Sequence, residues 1–197
     1  MKEKRVKVNK QDIALGKRVS EKDLVTIDGE EIRLQKDLVY IALNKPRGYV
    51  CTNEEKEKNV FSLVKTKERL FVVGRLDKNS RGLVILTNDG DFAYRLTHPS
   101  FSHEKEYTVE LSRDIDERAK KKMKSGVDIK EKTKAKIKDI ERIGFRKYKV
   151  ILTEGKKRQI RRMFEVFNCT VLDLQRVRIG KYELGDLKEK RWKYIEK

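Results

Sequence analysis

Between residues 39 and 178 the sequence holds seven strand-like runs and only three helical ones, a proportion that narrows the fold more than any other feature. The strand runs fall at 39–43, 70–74, 82–87, 105–112, 134–142, 146–153 and 170–178, the helical ones at 89–97, 114–125 and 156–167. With few helices to serve as parallel crossovers, the pattern predicts an α+β fold with a large mixed, mostly antiparallel sheet. The clearest strand, Lys105 to Leu111, alternates with period two: Tyr107, Val109 and Leu111 inward, Glu106, Thr108 and Glu110 outward. The helix at 114–125 has Asp114 or Asp116 as its cap and stops at Ser125-Gly126, while Asp89 suits a capping turn before Gly90. Residues 1–35 form a separate small unit. There Val6 and Val8 alternate, Lys22-Asp23 turns, and Leu24–Ile27 runs into the turn pair Asp28-Gly29. The stretch from Glu54 to Lys58 is read as a solvated loop.

Charge narrows the choice of partner. Fifty basic against 32 acidic residues give a formal net charge of +18, which points to a polyanion, nucleic acid before membrane. The N-terminus offers no apolar signal segment, and runs such as Val39–Leu43 are far too short to span a bilayer, so a cytoplasmic protein is expected. Cys51 and Cys169 stand alone, and His98 and His103 are the only histidines, so no metal site is expected.

Two stretches carry candidate chemistry. In GRLDKNSRGLVILTNDG, residues 74–90, Asp77 sits in a polar turn between Arg75 and Arg81, an odd place for an acid in so basic a chain. A solvated turn aspartate is the plain alternative. In EGKKRQIRRMFEVFN, residues 154–168, Ile160, Met163, Phe164 and Phe167 form one buried stripe at helical spacing. Five of the seven residues from Lys156 to Arg162 are basic. Cations in a first helical turn oppose the helix dipole, so phosphate contacts explain Lys156, Lys157, Arg158 and Arg162 better than local stability does. Asn44-Lys45-Pro46-Arg47-Gly48 offers Lys45 and Arg47 to RNA phosphates in the same way. Tyr107 is either a core aromatic or a base-stacking one.

Taken together, GRLDKNSRGLVILTNDGD resembles the catalytic motif of the RsuA/RluB/RluF-type pseudouridine synthases, which isomerise uridine in ribosomal RNA. NKPRG, HEKEY and EGKKRQIRRMF resemble that family's other blocks in the same order, over residues 37 to about 190. The resemblance implies the pseudouridine synthase fold over residues 36–197 and Asp77 as nucleophile, attacking C1′ of the ribose or C6 of the uracil. It further implies that Arg161 pairs with Asp77, that Tyr107 packs on the target base, and that Arg75 fills the stack once the uridine flips out. No cofactor is implied. The partner is ribosomal RNA or a ribosomal subunit precursor, with the protein a monomer and no membrane involved.

RVKVNKQDIALGKRVSEKDLVTIDG, within residues 1–35, is similar to the second half of the family's S4-type RNA-binding domain; its two opening helices have no counterpart here. KKRQIRRMF looks closer to the large-subunit branch, favouring 23S over 16S rRNA. A non-catalytic RNA-binding or ribosome-assembly protein would explain the charge but not Gly74-Arg75-Leu76-Asp77. A nuclease would usually need several clustered carboxylates for metal.

Overall fold

The computed structural model describes residues 5–14, 16–20, 22–32, 37–52 and 58–197. Residues 54–57 of the expected loop, and the expected boundary between residues 35 and 36, lie outside these. The chain divides into two compact units, Met1–Leu38 and Val39–Lys197.

In the first unit, β1 (Val6–Val8), β2 (Gln11–Asp12), β3 (Val25–Ile27) and β4 (Glu30–Glu31) pair antiparallel in the order β2-β1-β3-β4. Both hairpin turns are left-handed at two successive residues, Asn9-Lys10 and Asp28-Gly29, which matches the twist of tightly connected strands. The carboxylate of Asp28 accepts hydrogen bonds from the Arg5 guanidinium.

The second unit contains β5 (Tyr40–Lys45), β6 (Phe71–Val73), β7 (Arg81–Thr87), α1 (Gly90–Thr97) and β8 (Lys105–Leu111). It continues with α2 (Glu117–Ser125), β9 (Asp139–Gly144), β10 (Lys147–Leu152), α3 (Gln159–Glu165), β11 (Val171–Ile179), β12 (Tyr182–Glu183) and β13 (Trp192–Tyr194). Its nine-stranded sheet runs β13-β5-β7-β11-β8-β10-β9, with β12 beside β11 and β6 beside β7. Among the strand pairings of the described residues β7–β11 alone is parallel, so the sheet is mixed and mostly antiparallel, as the strand pattern predicts.

Strands β5 and β7 are buried on both faces. Tyr40, Ala42, Leu83 and Ile85 pack with Phe92 and Leu96 of α1, while Ile41, Leu43, Val84 and Leu86 share the other core with Ile160, Met163 and Phe164 of α3. The stripe read from the sequence therefore binds α3 to the sheet, each large side chain contributing about 1.5–3 kcal/mol.

Several boundaries differ from the sequence reading, among them the start of α2 at Glu117 rather than residue 114. The strand expected from residue 134 starts at Asp139, because Ala135 instead exchanges backbone hydrogen bonds with Val127. The helix expected from residue 156 starts at Gln159, because Arg158 is left-handed (φ 51°) and closes a turn before it. Lys156, Lys157 and Arg158 thus precede the helix, and the dipole argument does not apply to them. The cap of α2 is Asp116, whose Oδ1 accepts from the Ala119 N–H, while Asp114 instead accepts from Tyr148 and Arg142. Among the described residues, no helix is long and apolar enough to cross a membrane.

Asp89 caps α1 and is 6% exposed. Its carboxylate accepts from Lys197 Nζ (2.8 Å), the Tyr40 hydroxyl (2.6 Å) and the Phe92 N–H (3.0 Å). The Lys197 bond first, then those from Tyr40 and Phe92, hold Asp89 far below the ordinary 3.8. Its stabilising effect is therefore complete above that value and disappears as pH falls through the lower, folded-state value. Asp89→Asn should cost about 1–2 kcal/mol at neutral pH, with wild type and variant converging in acid, as urea titrations across pH would read.

Candidate active site

The Asp77 turn sits where one edge of β7 changes partner. Toward its C-terminal end β7 pairs with β6 (Val73 opposite Ile85), and at its start with β11 (Gly82 opposite Arg176). Residues 74–80 bridge that split. Gly74 is left-handed (φ 70°), buried Leu76 anchors the segment in the core, and the Ser80 N–H closes the turn on the Asp77 carbonyl (3.0 Å). The Asp77 carboxylate, half-buried on the cavity wall, has no hydrogen bond or ion pair among the described residues.

Two buried cations hold this turn from beneath. Arg176, 1% exposed, lies in the gap between β6 and β11. Its Nε donates to the Leu83 carbonyl (2.8 Å), and its two terminal nitrogens donate to the carbonyls of Gly74 (2.5 Å) and Arg75 (3.5 Å). The guanidinium thus replaces the ladder hydrogen bonds that the split removes. Lys45, with 0% exposure, donates from Nζ to the carbonyls of Pro46 (3.0 Å), Lys78 (3.2 Å) and Ser80 (2.6 Å). Burial pushes its ammonium down to about 8, opposed by the nearby charges of Cys51 and Asp77. The sequence reading of Lys45 as a phosphate contact is therefore corrected: it is a buried brace of the turn, out of reach of any phosphate.

One register row links the turn to the rest of the site. Lys45 lies opposite Gly82, Gly82 opposite Arg176, Arg176 opposite Tyr107, and Tyr107 opposite Val150. Tyr107, 7% exposed, shares the cavity wall with Asp77, Arg75, Lys105, Leu174 and Arg176. The cavity, about 920 Å³, lies toward the upper end of the roughly 300–1,000 Å³ range of ligand sites.

Arg161 comes from α3 toward the same turn. It donates to the carbonyls of Asn79 (3.1 Å) and Val171 (2.8 Å), and its buried Nε has no partner among the described residues. Burial, then the charge of Arg158, lowers its pKa, while Asp77 opposes the shift. Arg161 and Asp77 are thus electrostatic neighbours, and the expected pairing takes that form rather than a hydrogen-bonded ion pair. Arg81, the second arginine flanking Asp77 in sequence, turns away: it holds Asp173 through Nε and a terminal nitrogen (2.7 Å), with Arg47 on the same carboxylate.

The expected RNA contacts divide in two. Arg75, Lys157 and Arg158 are exposed on the cavity wall, with no side-chain partner among the described residues. Lys156 is tied to the carbonyls of Thr133 and Lys134, Arg162 to Glu131 and the Ile129 carbonyl, and Arg47 to Asp173. Those three are engaged by the protein and must exchange partners to meet a phosphate. The sequence reading missed Arg176, Gly82 and Lys105. Arg176 carried no local signal: it stands between Leu174 and a second arginine, Arg178, in the strand alternation, and only its pairing opposite Gly82 and Tyr107 makes it a buried brace.

An acid on a braced turn thus shares one cleft of an α+β sheet with a tyrosine and several cations, an arrangement suited to an anionic substrate. The RNA pseudouridylate synthase family model matches residues 39–166. An uncharacterized RNA pseudouridine synthase of Borreliella burgdorferi is 39% identical over 204 residues, covering 99% of this chain and 81% of its own. The dual-specificity RNA pseudouridine synthase RluF of Escherichia coli is 38% identical over 189 residues, covering 94% of this chain and 65% of its own. A crystal structure of a pseudouridylate synthase superposes with TM-score 0.79 at 27% identity, covering 99% of this chain and 86% of the other. The chain belongs to the RNA pseudouridylate synthase family.

Proposed function

We propose that the protein converts a uridine of ribosomal RNA, in the 23S molecule, to pseudouridine, acting as a cytoplasmic monomer with Asp77 as nucleophile. The observation that carries this is the placement of Asp77: open to the cavity, free of other partners among the described residues, and set on a turn braced by Lys45 and Arg176. Such a turn is preorganised, so little reorganisation accompanies attack. The likeness to RluF and the +18 charge support an RNA substrate. In this reading residues 1–35, the S4-like unit, dock the RNA.

In the reaction the N1–C1′ bond breaks, the uracil turns, and C5 bonds to C1′; N1 gains a proton and C5 loses one, so atoms balance without a redox partner. Attack by Asp77 at C1′ or at C6 is in either case attack by the carboxylate oxygen, with Arg161 as its cationic neighbour. Tyr107 packs against the flipped uracil and takes part in removing the C5 proton. Arg75, exposed at the mouth, fills the stack the uridine leaves. Mapping pseudouridines in ribosomes from cells with and without the protein tests the reading. Loss of one or a few sites in 23S rRNA is expected; loss in 16S rRNA moves the target, and no loss removes the reading.

Two further outcomes follow from the cations. Lys157→Ala should flatten the log–log salt dependence of RNA affinity by roughly 0.7–0.9 without moving the modified site, because one phosphate contact is removed. Lys45 predicts an alkaline limb. Turnover should fall as pH rises through about 8, where the ammonium that grips Lys78 and Ser80 loses its charge. Stability moves the other way: the folded-state value lies below the ordinary 10.5, so the unfolded chain holds the extra proton and deprotonation relieves the cost of burying the charge. Lys45→Arg should shift the alkaline limb upward in a pH–rate profile.

A further inference from the structure

We infer that four aromatic rings at the edge of the cleft, Tyr94, His98, Phe101 and His103, form a stacking site for an unpaired RNA base flanking the target nucleotide. This rests on the reading that the cleft takes RNA. The rings come from the end of α1, the short 3₁₀ turn Pro99–Phe101 and the residues leading into β8. Tyr94 and His98 lie 4.7 Å apart, and Phe101 stands edge-on to Tyr94 at 6.0 Å. Phe101 and His103 are nearly parallel, at 20° and 6.3 Å. Aromatic clusters usually belong to cores, yet Tyr94 is 54% exposed and Phe101 46%.

The platform is held, not loose. Phe92 and Leu96 bury the opposite side of α1. His98 Nδ1 accepts from the Ser100 N–H (3.3 Å) and lies 2.7 Å from the Ser100 hydroxyl, which fixes its ring. His103 packs against Gly180, where a Cβ would come within 3.3 Å of Nδ1.

Its position selects the occupant. Thr97 and Pro99, interleaved with these rings, line the same cavity as Asp77 and Tyr107, so the platform continues the catalytic cleft. Arg95, exposed beside Tyr94 in sequence, adds a cation. Exposed aromatic rings beside a basic cleft fit a polyanion carrying flat apolar groups, and an unpaired nucleobase has both properties. An apolar protein segment would leave the surrounding positive charge unanswered.

The test is fluorescence anisotropy with two labelled probes of equal charge, heptauridylate and a chain of the same length without bases. The Tyr94→Leu/Phe101→Leu double variant should bind heptauridylate roughly 5- to 150-fold more weakly than wild type and the abasic chain equally well. A Tyr94→Phe/Phe101→Trp variant, which keeps the rings, should recover affinity for heptauridylate. Equal heptauridylate affinity for wild type and the leucine variant would overturn the inference, as would equal losses on both probes, which would mean lost fold or charge rather than lost stacking. Neither probe needs to be converted. A wild type that discriminates between the probes as expected but forms no pseudouridine in ribosomal RNA would remove the earlier reading and leave the stacking site standing.

Discussion

Asp77→Asn should abolish turnover, by more than about 10³-fold or roughly 4 kcal/mol of transition-state stabilisation, while RNA affinity stays within about tenfold. The substitution keeps the size of the side chain, and the turn does not depend on the carboxylate: the groups that fix it are the carbonyls of Gly74, Arg75, Lys78 and Ser80 on Arg176 and Lys45, and the buried Leu76. The variant should therefore fold and bind, and affinity should rise slightly as an anion leaves a basic cleft. Arg161→Ala should impair turnover despite an intact Asp77, since the turn loses the bond to Asn79 and the carboxylate loses its neighbouring charge. Single-turnover rates and filter-binding affinities, measured on one RNA, separate these effects. Wild-type turnover by Asp77→Asn would make the nucleophile assignment wrong.

Gly82→Ala should be the most damaging small substitution for stability. Gly82 has φ +105°, and a Cβ there would lie 2.2 Å from the Arg176 carbonyl oxygen and 2.7 Å from its nitrogen. Both atoms are backbone, so neither can swing aside; β7 and β11 must separate at the parallel pairing that carries Arg176. Left-handed strain adds about 1–2 kcal/mol to that displacement. The total expected loss is about 3–5 kcal/mol, much of the stability of an ordinary domain. Activity should fall further than the unfolded fraction explains, because moving Arg176 releases the Gly74 and Arg75 carbonyls that shape the Asp77 turn. Gly90→Ala is the control: nothing lies within 4 Å of its Cβ and its φ is not positive, so its urea midpoint should stay near that of wild type.

The sheet was legible in the sequence because its strands declare themselves locally. Lys105 to Leu111 alternates in sequence and in burial alike, and the Gly126 stop of α2 and the Asp89 cap of α1 stand where turn chemistry places them. The start of α3 was not legible, since a left-handed Arg158 is set by the surrounding turn and not by arginine's own preference. Lys45 was misread for a related reason. A lysine after an apolar strand is ordinarily solvated, and only the pairing of β5 with β7 brings it beneath the carbonyls of Lys78 and Ser80, more than thirty residues away. The match to Gly74–Gly90 marked Asp77, but how it is braced depends on the exchange of β6 for β11 along β7, a long-range event that no local pattern encodes.

Tritium release tests the central claim most directly. Ribosomal RNA transcribed with uridine labelled at C5 is incubated with the purified protein, and label entering water is counted, because forming the C5–C1′ bond expels that hydrogen. The account predicts release by the wild type that reaches a plateau at one or a few equivalents per RNA, and none from Asp77→Asn at equal RNA occupancy. Release from the wild type no greater than from RNA alone, under conditions where the protein binds that RNA, would contradict it.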